Sequence, residues 1–160
     1  MKELNLQIGI RIYDEAELDA ADRQLVAAAC EATQRSYAPY SHFSVGAAAR
    51  LADGTIVSGS NQENAAYPSG LCAERTTLFY ANSRYPDQPV RTLAIAARNE
   101  RGEYLKAPIP PCGACRQVML ETESRHATPM RVLLYGTEGI YELQKVGDLL
   151  PLSFDATAME

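Results

Sequence analysis

The chain of 160 residues has no tryptophan, three phenylalanines, two histidines and four cysteines. It also has no basic surplus: 15 Lys and Arg stand against 20 Asp and Glu, giving a net charge of −5. Binding that rests on neutralising a phosphate backbone needs concentrated Lys and Arg, and here they are scattered. A neutral small molecule suits this balance better than a polynucleotide. No apolar run approaches the ~18 residues of a membrane span. The opening "MKELNLQIGIRIYDEAELDAADR" alternates and then turns acidic, without the apolar core and cleavage site of a secretory signal. The expectation is a cytoplasmic protein with neither membrane nor nucleic acid as partner.

The length suits one domain, with 46% hydrophobic and 22% charged residues, the balance of a soluble globular fold. Residues 14–36, rich in Ala, Glu, Leu and Gln, predict one long helix that carries Cys30, read as a small buried hydrophobe. Asp53-Gly54 between two apolar runs predicts a hairpin. A helix is expected from about Ala73 to Asn82, a doubly covered strand in "VRTLAIAAR", a helix in "CGACRQVMLETES" and a strand in "MRVLLYGT". A short strand "IYELQ" and the tail "VGDLLPLSF" follow. This αββαβαβ order implies a layered α/β domain around a mixed sheet. Residues 1–13 extend the single domain, their role open.

Clustered cysteines in a reducing compartment point to metal or catalysis rather than disulfides. Cys72, and Cys112 with Cys115, each stand where a loop gives way to a helix, a place that favours thiolate. Three thiolates leave one vertex of a zinc tetrahedron. The candidates to close it are His42, His126 and Cys30, and neither histidine has zinc-finger spacing. A closed site would be structural, whereas an open one takes water and is catalytic. Glu74, two residues past Cys72, would face such a water without binding the metal and exchange its proton. Three plainer readings stand beside this one: a redox "CGAC" pair, a structural zinc, and Glu74 as an ordinary helix-start carboxylate.

"C-A-E" at 72–74 followed by "P-C-x-x-C" at 111–115 resembles the zinc nucleoside and nucleic-acid deaminases, and the three-cysteine form resembles the homotetrameric cytidine deaminases. The likeness runs from about Tyr37 to Phe154. It implies a three-layer α/β/α domain with a mixed, about five-stranded sheet, and one zinc per subunit on Cys72, Cys112 and Cys115. It further implies hydrolysis of cytidine and deoxycytidine with Glu74 as proton shuttle. In "YAPYSHFSVGAA" it assigns Phe43 to the pyrimidine pocket. In "NQENAAYP" it assigns Asn61 and Glu63 to the sugar hydroxyls, and Tyr67 to a neighbouring subunit's site. Backbone groups beside Ala73 and in the turn at Ala65 would read the base edge, and Phe154 of "LLPLSF" would stack across an interface. Arg75 would donate to the sulfurs from behind. The family's active sites are completed by neighbouring subunits of a tetramer. Ser44 departs from the proline common there. A deaminase of another aminopyrimidine nucleoside, such as blasticidin S, and a non-catalytic zinc or nucleoside binder are the rival readings.

Overall fold

The computed structural model describes residues 1–159. Its single sheet has six strands: β1 (Arg11–Tyr13), β2 (Ser44–Leu51), β3 (Ile56–Ser60), β4 (Val90–Arg98), β5 (Arg131–Gly136) and β6 (Gly139–Leu143). They lie in the order β1-β6-β5-β4-β2-β3, with β4 and β5 the parallel pair and the other neighbours antiparallel. Helix α1 (Ala20–Ala32) covers one face, and α2 (Ala73–Arg84) and α3 (Gly113–Arg125) pack together on the other. The expected three-layer mixed fold is present. The strand beyond the expected five is β1, only three residues long.

The long helix expected over 14–36 is shorter, for a local reason. Asp14 and Glu17 form a reciprocal capping box around a single 3-10 turn, and Leu18 is extended. Asp19 then opens α1, its carboxylate accepting from the Asp22 amide at 2.7 Å. A run of good helix formers is thus cut by two capping aspartates.

β2 and β4 are buried on both faces. Ala48, Ala94 and Ala96 meet Leu25, Val26 and Ala29 of α1, while Ala47, Leu93 and Ile95 face Leu78 and Met119 of α2 and α3. The small side chains let α1 lie close. At Gly46 any side chain would collide with the Ala29 carbonyl. The β2–β3 hairpin turns at Gly54 (φ +89), where Asp53 accepts from the Thr55 amide at 2.9 Å. Truncating Leu25, which is fully buried, would cost about 2–5 kcal/mol.

At the α1 side of β5 and β6 a set of charges is locked together. Asp22 accepts from Arg50 and from Arg131, both at 2.7 Å, and Arg131 also donates to Glu142. Tyr13 on β1 donates to Glu142 at 3.1 Å. Asp22 and Glu142 are 4% and 2% exposed, and each is fully partnered.

Candidate functional site

The parallel β4–β5 pair requires a crossover, and α3 supplies it. That crossover sets the N-terminus of α3 beside the N-terminus of α2. Cys72 and Cys112 occupy equivalent positions, each the extended residue just before its helix, with ψ of 157° and 165°. Neither side chain caps its own helix, so both sulfurs are free to turn toward each other. Cys115 sits one turn into α3. The Cys72 and Cys112 sulfurs are 3.8 Å apart, those of Cys112 and Cys115 3.4 Å, and all three lie within 4.8 Å of one another. A zinc tetrahedron with 2.3 Å bonds to sulfur has edges of about 3.8 Å, so the three donors fit that ion in type and spacing.

Among the described residues no fourth histidine, cysteine or carboxylate joins the group. Cys30 lies on α1 against the other face of the sheet, with burial pushing its thiol up to about 11. The fourth vertex is open, which is the distinction between a catalytic and a structural zinc.

The sulfurs already share charge. The Cys72 thiol is pulled down to about 5, first by a hydrogen bond from Cys115 and, against the opposing effect of burial, also by Arg75, whose guanidinium lies 3.8 Å from its sulfur. Cys115 is pushed up, first by its hydrogen bond to Cys72 and then by burial. One thiolate thus forms readily and opposes the next. A cation is what allows all three to ionise.

Glu74 projects from the first turn of α2 and is 4% exposed. Burial holds its carboxyl above the usual carboxylate range, and the charge on Cys72 adds to this. Arg75 also donates to the Gly70 carbonyl at 3.4 Å, and its Nε is buried without a partner.

Beside the sulfurs opens a cavity of about 500 Å³, lined by Tyr40, Asn61, Glu63, Tyr67, Cys72 and Arg75 among others. Asn61 is tightly engaged. Its Oδ1 accepts from Ser36 Oγ (2.5 Å) and the Val45 amide (2.8 Å), and its Nδ2 donates to the Phe43 carbonyl (2.9 Å). This tie joins the end of β3 to the start of β2. Glu63 accepts from the Tyr40 and Ser41 amides at 2.9 and 3.3 Å, and bonding to Ser41 and Tyr40 holds its carboxyl below the usual range.

The remaining expected residues are less gathered. Phe43 is half-buried against the α2–α3 core, Ala73 is fully buried, and Ala65 is exposed; none of them lines the cavity. Tyr67 is 74% exposed and packs edge-to-face on Tyr40, 5.7 Å between centroids. Phe154 is also exposed, its carbonyl accepting from Gln117 of α3 at 2.9 Å. His42, before β2, takes a left-handed φ of 54 and stands apart from the sulfurs.

Sequence reasoning passed over Arg116. Its guanidinium donates to the Pro111 carbonyl (2.8 Å) and the Leu149 carbonyl (2.7 Å), so one side chain fixes both the loop ahead of Cys112 and the start of the tail. Its place directly after Cys115 was the available signal. Tyr40 was missed in the same way, within a stretch read only for Phe43.

An α/β domain with three thiolates on two adjoining helix starts, an open vertex and a buried acid beside them defines a zinc hydrolytic centre. The family described as "Cytidine and deoxycytidylate deaminase zinc-binding region" matches residues 19–129, and the chain belongs to it. It is 42% identical over 139 residues to a cytidine deaminase of Halalkalibacterium halodurans, covering 86% of this chain and 98% of that one. With a cytidine deaminase of Mycobacterium tuberculosis it shares 38% over 129 residues, covering 79% and 84%. The crystal structure of cytidine deaminase from Burkholderia pseudomallei superposes with a TM-score of 0.69 at 40% identity, over 82% of this chain and 97% of the other.

Proposed function

We propose that the protein deaminates cytidine and 2′-deoxycytidine hydrolytically, yielding uridine or 2′-deoxyuridine and ammonia, as a step of pyrimidine salvage. The observation that carries this reading is the pairing of a buried Glu74 with a three-sulfur group that leaves one vertex open. Cys72, Cys112 and Cys115 hold the zinc, which when bound supplies the Lewis acidity that ionises water near neutral pH. Glu74 accepts the proton of the attacking water, delivers it to N3 of the pyrimidine, and carries the next one to the departing 4-amino group. Its burial suits both roles, since a carboxyl held above its usual range is a stronger base and keeps the proton it takes until it can pass it on.

The cavity residues orient the nucleoside. Glu63 and Asn61, in the cavity lining, face the sugar hydroxyls; Phe43 and the backbone at Ala65 and Ala73 frame the base from outside that lining. Asn61 is preorganised by its three bonds, so a sugar hydroxyl adds to a fixed group rather than ordering a loose one. Arg75 draws negative charge from Cys72. A 3′-phosphate would be repelled by Glu63 and by the acidic chain, which favours free nucleosides over polynucleotides.

Tyr67 and Phe154, 74% and 62% exposed, suit a homotetramer in which each site is completed by its neighbours. A cytoplasmic setting is supported by the need to keep three thiols reduced. The test is ammonia release by zinc-loaded protein from cytidine, deoxycytidine and a cytosine oligonucleotide. Turnover of both nucleosides and little of the oligonucleotide is expected; an inert cytidine would refute the assignment.

A further inference from the structure

Residues 3–12 alternate with a strict period of two: Leu4, Leu6, Ile8, Ile10 and Ile12 on one side, Glu3, Asn5, Gln7, Gly9 and Arg11 on the other. That is the pattern of a strand with one buried face. Yet the five apolar residues are between 43% and 75% exposed, and only Arg11–Tyr13 pairs, with β6. β1 is the edge of the sheet, so its outer side is open. The apolar ladder continues the face of Ile12, opposite Tyr141, while Arg11 lies over Glu142. An exposed apolar edge strand is a template for pairing with another chain.

We infer that residues 3–11 form an antiparallel ribbon with the same residues of a second copy of this chain, growing off the open edge of β1. The charges select both the occupant and the register. With the two-fold axis at Gln7, Leu4 lies opposite the second copy's Ile10 and Leu6 opposite its Ile8. In that same register Glu3 faces the second copy's Arg11, and each of these pairs occurs twice. Arg11 is free to accept this partner, because its side chain is 66% exposed and reaches Glu142 only at 3.4 Å. A self-complementary segment of this kind makes an isologous interface. It places apolar against apolar and opposite charge against opposite charge, the pairings that stabilise a two-stranded ribbon. The contact does not depend on the deaminase reading and uses none of the cavity residues.

The test is cross-linking of the zinc-loaded full chain, since the unmodified protein has no cysteine in this segment. Residues directly opposite in a ribbon bring their Cα atoms within about 4.5–5.5 Å, inside disulfide range. Under mild oxidation Gln7→Cys is expected to join most chains into dimers. Asn5→Cys should stay at the parent's level, because its two copies would be about 14 Å apart, four residues along the strand. Adding Leu6→Asp to Gln7→Cys should abolish the cross-link, and adding Glu3→Lys should lower its yield several-fold, with nucleoside turnover unchanged in both. Equal cross-linking at 5 and 7, no cross-link at 7, or a cross-link indifferent to Leu6→Asp would overturn the ribbon.

Discussion

Two places in this molecule bury charge, and they differ in how far the charge is answered. On the α1 side, Asp22, Arg50, Arg131 and Glu142 join into a network that leaves neither carboxylate unmatched. On the other side, Cys72, Cys112, Cys115 and Glu74 collect anionic groups with only Arg75 close by, and a charged Cys72 makes Cys115 harder to ionise. In the first arrangement both carboxylates are answered, only Arg50 Nη1 being left without a partner, and it holds the sheet to its helix. The second is incomplete and calls for a cation and a substrate. A polar cluster that closes on itself is structure; one that stays open is chemistry.

The largest effect expected from breaking this contrast is at Glu74. Glu74→Gln should reduce turnover about 10³-fold, while thermal unfolding moves little, because a desolvated acid is replaced by a neutral amide. Steady-state ammonia release and a thermal melt on the same sample would show it.

Next is the network. Asp22→Asn takes the carboxylate from Arg50 and leaves Arg131 only Glu142, and should destabilise the fold by about 3 kcal/mol in urea unfolding, with kcat within about twofold of the parent. The pH dependence sharpens the point. Burial alone would raise the Asp22 carboxyl, but Arg131 and Arg50 outweigh it and hold it below its ordinary 3.8. A depressed carboxyl gives stability that is fully present above the unfolded pKa and lost as pH falls through the folded value. The parent should therefore weaken below about pH 4, and Asp22→Asn should flatten that slope in acid unfolding curves.

The smallest expected effect is at Arg75. Arg75→Gln removes a charge near Cys72 without removing a ligand. Zinc retention against a competing chelator should fall by about tenfold, the low end for groups behind a metal's ligands. Retention equal to the parent's would remove Arg75 from the site.

Much of this was legible in the residues. The sulfur group could be read because Cys112 and Cys115 are one turn apart and Cys72 shares their helix-start setting. The buried strands were legible because β4 and β5 each carry an unbroken apolar run, residues 93–97 and residues 132–134. What escaped depends on distant partners. β1 spans only Arg11–Tyr13 because only there does β6 lie beside it; the alternation ahead of it was read solely against a secretory signal. The overlong first helix came from weighing alanines above the two aspartates that cap and interrupt it. Asn61 and Arg116 act through backbone carbonyls 18 and 33 residues away, respectively, which no local spacing reveals.

The most direct test of the contrast is a crossed measurement. Turnover of cytidine and free energy of unfolding would be determined for zinc-loaded parent, Glu74→Gln and Asp22→Asn proteins. Turnover lost with stability kept in Glu74→Gln, and the reverse in Asp22→Asn, is the predicted result. Loss of both properties in either variant, or turnover surviving in Glu74→Gln, would contradict it.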